Sequence, residues 1–372
     1  MEKQFNFKAN EILTRLQADS NLPAPAKTIL KERQNLCSEL VANLLFCLVK
    51  DLRYEYFKDI TNLVIACEAD LEKNPNVMSQ AAFTAWVQGL NDECERWSKR
   101  VICMAPKHHA GYLRLGLNFL GKQNFIEAFI VLSAGLRNTN NNQELIGWFH
   151  LAERMAVGSR DVVFTKFGKT FHYHLSCFNG QAIESDAAHL SGKFTEESEL
   201  MFLAGFLGGC KSFVEVGALV GNHTVFLASF IQPEKYLIID ALDLSIEETK
   251  KNVESNVDNY PKTVFTFVEA ALGASGGEEV VIGGKKVITR TLEELIPKDV
   301  DFIKIDIDGM EGPLLESLID FISDKNIKIF IEVESQYLGA YNKKMSEIDY
   351  VIINKIDHGS YSNLFLQKKN NI

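Results

Sequence analysis

The chain has 372 residues, 46% of them hydrophobic and 24% charged, with a formal net charge of −10 and a pI near 5.4. A chain of this size and polarity builds sizeable cores, in two domains or in one large domain with an appendage, and is not disordered throughout. The negative balance argues against broad nucleic-acid binding, which needs a basic face against phosphate, and no apolar run reaches the roughly 20 residues of a membrane span. Its seven cysteines (Cys37, Cys47, Cys67, Cys94, Cys103, Cys177 and Cys210) are odd in number and show no C-x-x-C. Most of them fall in apolar helical stretches, which reads as small buried hydrophobes in a reducing compartment. The histidines show no zinc-ligand spacing. The first residues, Met-Glu-Lys-Gln-Phe-Asn, are polar and unlike a signal peptide, so a cytoplasmic location is expected.

Residues 1–157 read as successive helices. Ile29 to Leu52 and Phe57 to Leu71 carry apolar residues at helical spacing, and Pro75, Pro106 and the Asn138–Asn142 stretch punctuate the pattern. Tyr112, Leu115, Gly116, Phe119, Ala128 and Leu132 resemble one tetratricopeptide unit, with Pro106 at the closing position of a preceding period of ~34 residues. Gly116 and Ala128 are small where paired helices approach closely. This half is expected to be an all-α, helical-repeat-like domain that serves docking or self-association, or a plain bundle packed on its neighbour.

After Gly158 the period shifts to strands. Val162–Lys166 and Lys169–Leu175 flank Phe167-Gly168 as a hairpin, at the start of a second domain spanning 158–372. Phe213–Val216 is a buried strand that ends in a turn with Gly217 and Gly221, and a helix opens at Asn222-His223-Thr224. Glycines suit this turn because a ligand lies against bare backbone at the carboxyl end of a strand, where the first N–H groups of the helix also face it. The run Tyr236–Ile239 ends in Asp240, 23 positions after Gly217, placed to accept hydrogen bonds from both ribose hydroxyls of a nucleoside. Phe265–Val268 is a further strand. Glu279–Ile282 and Lys285–Ile288 form a hairpin around Gly283-Gly284, and Val300–Ile305 and Ile327–Val333 are continuous apolar strands of a parallel sheet covered on both faces. Alternation of strand and helix from 213 to 335 gives a doubly wound α/β domain.

The dinucleotide pattern G-x-G-x-x-G is missing. The spacing E-x-G-x-x-x-G is similar to the S-adenosylmethionine loop of Rossmann-type methyltransferases, where no pyrophosphate has to be held. The blocks E-V-G-A-L-V-G-N-H-T (215–224), I-I-D (238–240), A-A-L-G (270–273), R-T-L-E-E-L (290–295), D-F-I-K-I-D-I-D-G-M-E (301–311) and F-I-E-V-E (330–334) resemble FkbM-type methyltransferases in order and spacing over about residues 160–365. The resemblance implies an S-adenosylmethionine-dependent O-methyltransferase on a seven-stranded Rossmann-like sheet, releasing S-adenosylhomocysteine. Three positions depart from the family pattern. Glu215 stands where Asp is more usual, Asp308 where Glu is more usual, and Leu219 in place of a common Asn.

The site residues take expected roles on this basis. Gly217 and Gly221 admit the cofactor, with Asn222 and His223 at the helix start beside it. Glu215 anchors the methionine amine directly or through water, Asp240 the ribose, and Glu269 and Ala270 the adenine. Asp306 ends the fourth strand, where reacting groups lie on such a sheet. Asp306, Asp308 and Glu332 are the catalytic candidates, with Glu311 and Glu334 close by. These carboxylates serve as general base, bind substrate hydroxyls or hold a divalent ion. The metal-free role is favoured, since Ser317 occupies the last ligand position of an EF-hand-like loop and helix stabilisation accounts for Asp308 and Glu311. His223 reads as a helix-start residue rather than a base. His172 and His174 share one strand face, lining the substrate cleft or facing solvent. Lys304, inside an apolar strand, needs a carboxylate partner. The acceptor is expected to be a sugar hydroxyl of a glycan or nucleotide-sugar, or else another small molecule such as a polyketide. A non-enzymatic scaffold with an inactive domain is disfavoured by Gly217, Gly221, Asp240 and Asp306.

Overall fold

The computed structural model describes residues 2–32, 37–50, 56–282, 285–307, 311–359 and 361–369. Two compact units divide the chain, one of residues 1–159 with 177–183 and the other of residues 160–176 with 184–372.

The first unit contains helices α1 (Glu2–Ala18), α2 (Ala24–Glu32), α3 (Ser38–Lys50), α4 (Phe57–Ala66), α5 (Glu68–Leu71), α6 (Pro75–Val87), α7 (Asn91–Met104), α8 (His109–Gly121), α9 (Phe125–Asn138) and α10 (Gln143–Ala156). The periodic stretch Ile29–Leu52 is thus two helices, with residues 33–36 and 51–55 outside the described residues, and Phe57–Leu71 breaks at Cys67. Pro75 opens a helix. It occupies the first turn of α6, where its fixed φ suits and no N–H is missed, and the Asn74 side chain accepts from the amides of Asn76 and Val77. The small residues act as expected. A Cβ on Gly116 would lie 2.6 Å from Leu132 Cγ, and one on Gly135 would lie 2.7 Å from Tyr112 Cβ, so α8 and α9 meet almost backbone to backbone. Tyr112 locks the pair, donating to the Pro106 carbonyl at 3.0 Å and accepting from Asn138 Nδ2 at 2.8 Å.

The second unit opens with the antiparallel pair β1 (Asp161–Lys166) and β2 (Lys169–His174). Phe167 and Gly168 join them with φ of 49° and 75°, the two positive values of a turn matched to strand twist. There follow α11 (Gly180–Leu190), α12 (Glu197–Phe206), β3 (Ser212–Val216), α13 (Asn222–Ile231), β4 (Lys235–Asp240), α14 (Asp243–Glu254), β5 (Val264–Glu269), β6 (Ala271–Leu272), β7 (Glu279–Ile282), β8 (Lys285–Arg290), α15 (Leu292–Leu295), β9 (Phe302–Ile305), α16 (Glu311–Ile322), β10 (Lys328–Glu334), α17 (Leu338–Glu347), β11 (Tyr350–Asp357) and β12 (Tyr361–Lys368). β7 and β8 pair antiparallel; the turn Gly283-Gly284 lies outside the described residues.

Seven strands form one sheet in the order β5-β4-β3-β9-β10-β12-β11. The five strands from β5 to β10 run parallel, and β12 lies antiparallel to both β10 and β11. Counted along the chain, the order is 3-2-1-4-5-7-6. Every residue of β3 and β9 is buried, as both faces of a parallel sheet are covered. One face is aliphatic: Val214, Val216, Ile303, Ile305, Ile329 and Ile331 pack with Leu314, Leu318 and Ile322 of α16. The other is aromatic: Phe213, Tyr236, Phe302, Phe330 and Phe365 pack with Leu200 and Leu203 of α12 and Phe226 of α13. Phe213 centres a row across the sheet, with ring centroids 5.1 Å from Phe302 and 5.5 Å from Tyr236.

Candidate functional site

Two residues along the strands, the aromatic face turns polar. Strand register places Glu215 beside Lys304, and Lys304 beside Phe330. Lys304 is 2% exposed and Glu215 1%. The ammonium donates to Asp306 Oδ2 at 2.9 Å and to the Gly217 carbonyl at 3.0 Å, and lies 3.6 Å from Glu215 Oε1. Lys304 thus has two carboxylate partners. Burial pulls its pKa down, but the charges of Asp306 and Glu215 outweigh that and hold it above the ordinary lysine value, so it remains a cation. Glu215 Oε2 accepts from Thr224 Oγ1 at 2.7 Å and from the Tyr236 hydroxyl at 2.8 Å. Its Oε1 is buried with no hydrogen-bond donor among the described residues.

Asp306 follows directly on β9. Its amide donates to the Val216 carbonyl, and its own carbonyl lies where a Cβ on Gly217 would be, 1.8 Å away. Gly217 therefore lets the ends of β3 and β9 touch, a demand of the protein's own backbone before any ligand is considered. Gly221 likewise fits against α14, 3.0 Å from Thr249 Cγ2. Gly217, Leu219 and Gly221 take positive φ of 84°, 55° and 76°, which coils the loop back on itself. Asp240 holds that coil: Oδ2 accepts from the amides of Ala218 and Leu219, and Oδ1 from Leu242. Burial raises its pKa against these amide hydrogen bonds and one from the Ser245 side chain.

The next two residues face away from the loop. Asn222 takes the Thr195 amide on Oδ1 at 3.1 Å, gives Nδ2 to the Thr195 carbonyl at 3.0 Å, and meets His189 Nε2 at 3.0 Å. His223 Nε2 lies 3.1 Å from Glu196 Oε2, and its ring meets the Phe330 face edge-on. Their side chains join helix α13 to the segment before α12, so any cofactor contact at this turn falls to backbone amides. Burial raises the Glu196 carboxyl, but the hydrogen bond and charge of His223, with Lys304 and His358, bring it below its ordinary value. Glu269 is also engaged, its Oε1 2.7 Å from Lys285 Nζ, which reaches Asp243 as well. Ala270, 3% exposed, donates its amide to the Asp240 carbonyl. Asp308 lies outside the described residues, as does the side chain of Glu311. His172 is exposed, and His174 Nδ1 lies 3.4 Å from Asp161 Oδ1.

The antiparallel strand β12 brings residues to the carboxyl edge that local patterns did not reveal. Asn363 stands opposite Glu332, and Tyr361 opposite Glu334. From α12, Glu199 points at the same place: Oε1 is 2.8 Å from His358 Nε2 and Oε2 accepts from Asn363 Nδ2 at 2.6 Å. Burial raises the Tyr361 phenol pKa, and the charges of Glu332, Glu196, Asp306 and Glu199 push it further.

A parallel sheet ordered 3-2-1-4-5-7-6 with its seventh strand reversed, a glycine loop after the first strand and an acid ending the second define a methyltransferase of the Rossmann type. The model of the methyltransferase FkbM domain matches residues 215–355, and the chain is an S-adenosylmethionine-dependent methyltransferase. Among solved structures, it is similar to methyltransferase FkbM from Methylobacillus flagellatus KT, with 15% identity and a TM-score of 0.35, covering 67% of this chain and 58% of that one. It is also similar to ribosomal protein L11 methylase from Lactobacillus delbrueckii subsp. bulgaricus, with 17% identity and a TM-score of 0.34, covering 47% of this chain and 79% of that one. A comparison with curated proteins yielded no match. Among the described residues no helix is long and apolar enough to cross a membrane.

Proposed function

We propose that the protein methylates a sugar hydroxyl of a glycan or nucleotide-sugar. The observation that carries this reading is the set of acids at the carboxyl edge of the sheet: Asp306 directly after β9, Glu332 on β10 opposite Asn363, and Glu199 hydrogen-bonded to Asn363 and His358. Carboxylates accept hydrogen bonds from neutral hydroxyls, and several of them together suit a ring that presents several hydroxyls.

The residues present fit the methyl donor. Glu215 Oε1, buried without a hydrogen-bond donor, is an acceptor for an ammonium group, directly or through water. Asp240 ends β4 where ribose hydroxyls are taken, Gly217 and Gly221 shape the loop, and the amides at Asn222 and His223 open α13. Glu269 and Ala270 close the adenine end, Glu269 by exchanging Lys285 for the base. The donor's sulfonium supplies an activated methyl group, so the protein's task is alignment and proton removal. Asp306, held by Lys304, orients the acceptor, and Glu332 binds it. No divalent ion is invoked. We assign the helical unit to docking or self-association and the protein to the cytoplasm.

The test is titration calorimetry with S-adenosylhomocysteine, followed by turnover on methyl glycosides and nucleotide-sugars. Micromolar binding and product formation with at least one hydroxyl acceptor are expected. Binding without turnover on any of them would overturn the acceptor class, and no binding at all would overturn the site.

A further inference from the structure

We propose that His358 is the general base that takes the proton of the acceptor hydroxyl, with Glu199 and Asn363 as the residues that position it. This rests on the methyl transfer to a hydroxyl proposed above. His358 lies in the turn between β11 and β12. Its backbone is fixed: its amide donates to the Tyr361 carbonyl at 2.9 Å, Gly359 donates to Asp357 Oδ1 at 2.9 Å, and Ser335 Oγ holds the Gly359 carbonyl at 2.7 Å. The imidazole lies against the Tyr361 ring, with centroids 4.7 Å apart and planes 19° from parallel. The register of Tyr361 and Asn363 against Glu334 and Glu332 sets the turn at the carboxyl edge of the parallel strands, where the reacting groups of such a sheet meet.

The carboxylate behind it explains the arrangement. Glu199 is 3% exposed, whereas the His358 side chain is 29% exposed. A buried carboxylate is costly unless each oxygen has a partner; here one oxygen faces His358 Nε2 and the other Asn363. Nε2 therefore carries its proton toward Glu199, and Nδ1, with no partner among the described residues, keeps its lone pair. A buried acid, an oriented imidazole and a free basic nitrogen at an open edge form the arrangement used for proton abstraction. Two other candidates are engaged: Asp306 is paired with Lys304, and His223, 8% exposed, with Glu196. The charged groups around the His358 ring are Glu199, Glu196 and Asp357, with the Tyr361 phenol on its face.

The step balances. The acceptor oxygen bonds to the methyl carbon, the bond from that carbon to sulfur breaks with its electron pair left on sulfur, and the hydroxyl proton moves to His358 Nδ1. The products are the methyl ether, neutral S-adenosylhomocysteine and an imidazolium beside the Glu199 carboxylate, which later loses its proton to water.

The test uses the full chain with methyl α-D-glucopyranoside, methyl α-L-rhamnopyranoside and UDP-glucose as acceptors, reading S-adenosylhomocysteine release. His358→Ala should keep the melting temperature and the affinity for S-adenosylhomocysteine, and lose turnover by about 100-fold or more. Added imidazole should restore part of it, and the acidic limb of the kcat/KM pH profile should vanish. Glu199→Gln should lower kcat and leave the acceptor KM and the affinity for S-adenosylhomocysteine unchanged. His358→Gln serves as the second variant if the alanine form melts early. A folded His358 variant within about threefold of wild-type turnover overturns the proposal, as does a slow variant with no response to imidazole and an unchanged pH profile. A wild type that binds S-adenosylmethionine and methylates none of the three probes removes the hydroxyl reading and this base with it.

Discussion

Gly217→Ala tests the claim that the ends of β3 and β9 touch at this residue. The added Cβ would sit 1.8 Å from the Asp306 carbonyl oxygen, and backbone on both sides leaves no flexible side chain to give way. The left-handed φ of 84° costs an alanine about 1 kcal/mol before any clash, and forcing the strands apart adds about 1–3 kcal/mol. For a unit of this size, each kcal/mol lowers Tm by about 2–4 °C, which gives a drop of about 5–15 °C. The loop from Gly217 to Gly221 must move with the strand ends, so affinity for S-adenosylhomocysteine should fall at least tenfold. The control is Gly209→Ala, which has the same φ of 84° and nothing within 4 Å of its Cβ, and should cost only the conformational part, about 1 kcal/mol. Thermal melts and titration calorimetry on the two variants decide the matter. Equal melting temperatures, with cofactor affinity intact in both, would show that strand contact is not what requires glycine at 217.

Lys304→Met should destabilise by about 3–5 kcal/mol, because the Glu215 carboxylate is left buried without its cation; adding Glu215→Gln should return part of that in denaturant titrations. His189, buried against Tyr173 and hydrogen-bonded to Asn222, has its pKa pulled down by burial to about 4 from 6.5. The unfolded chain binds a proton in that window and the native state does not, so stability should fall as pH drops from 6.5 to 4, by about 3 kcal/mol from this group. His189→Gln should flatten that part of a Tm-against-pH curve. Asp306→Asn should bind the cofactor normally and lose turnover by about 100-fold; chelator should leave wild-type activity unchanged, and activity that returns only with Mg²⁺ would restore the metal reading.

The parallel core of the sheet was legible because its strands are short apolar runs ended by glycine or an acid, and because helical spacing in residues 1–157 differs from the spacing that follows. Lys304 announced its need for a carboxylate by being a lysine among isoleucines. The strands β11 and β12 carried weaker signals, since β11 alternates exposed and half-buried residues and β12 mixes Ser362 and Asn363 with its apolar residues. Of the acids at the carboxyl edge, Asp306 and Glu332 were legible as strand ends, but Glu199, Asn363 and His358 were not. Glu199 and Asn363 are 164 positions apart and meet only because β12 inserts antiparallel beside β10. Asn222 and Glu269 fell at expected places in the chain, yet their side chains serve Thr195 and Lys285, a choice made by tertiary neighbours that no local pattern encodes. Pro75 was read as an interruption and proved to be a helix start, because both signals are the same residue.

Asn222 and His223 stand at the head of α13, directly after the glycine loop, and grip Thr195 and Glu196. The glycine loop and the chain that carries Glu196 and Glu199 are therefore tied together by side-chain bonds. On the proposed site, a donor held by that loop would complete the acceptor side, and the expected outcome is ordered addition, donor first and S-adenosylhomocysteine last to leave. Steady-state inhibition by that product would then be competitive against the donor and noncompetitive against the acceptor.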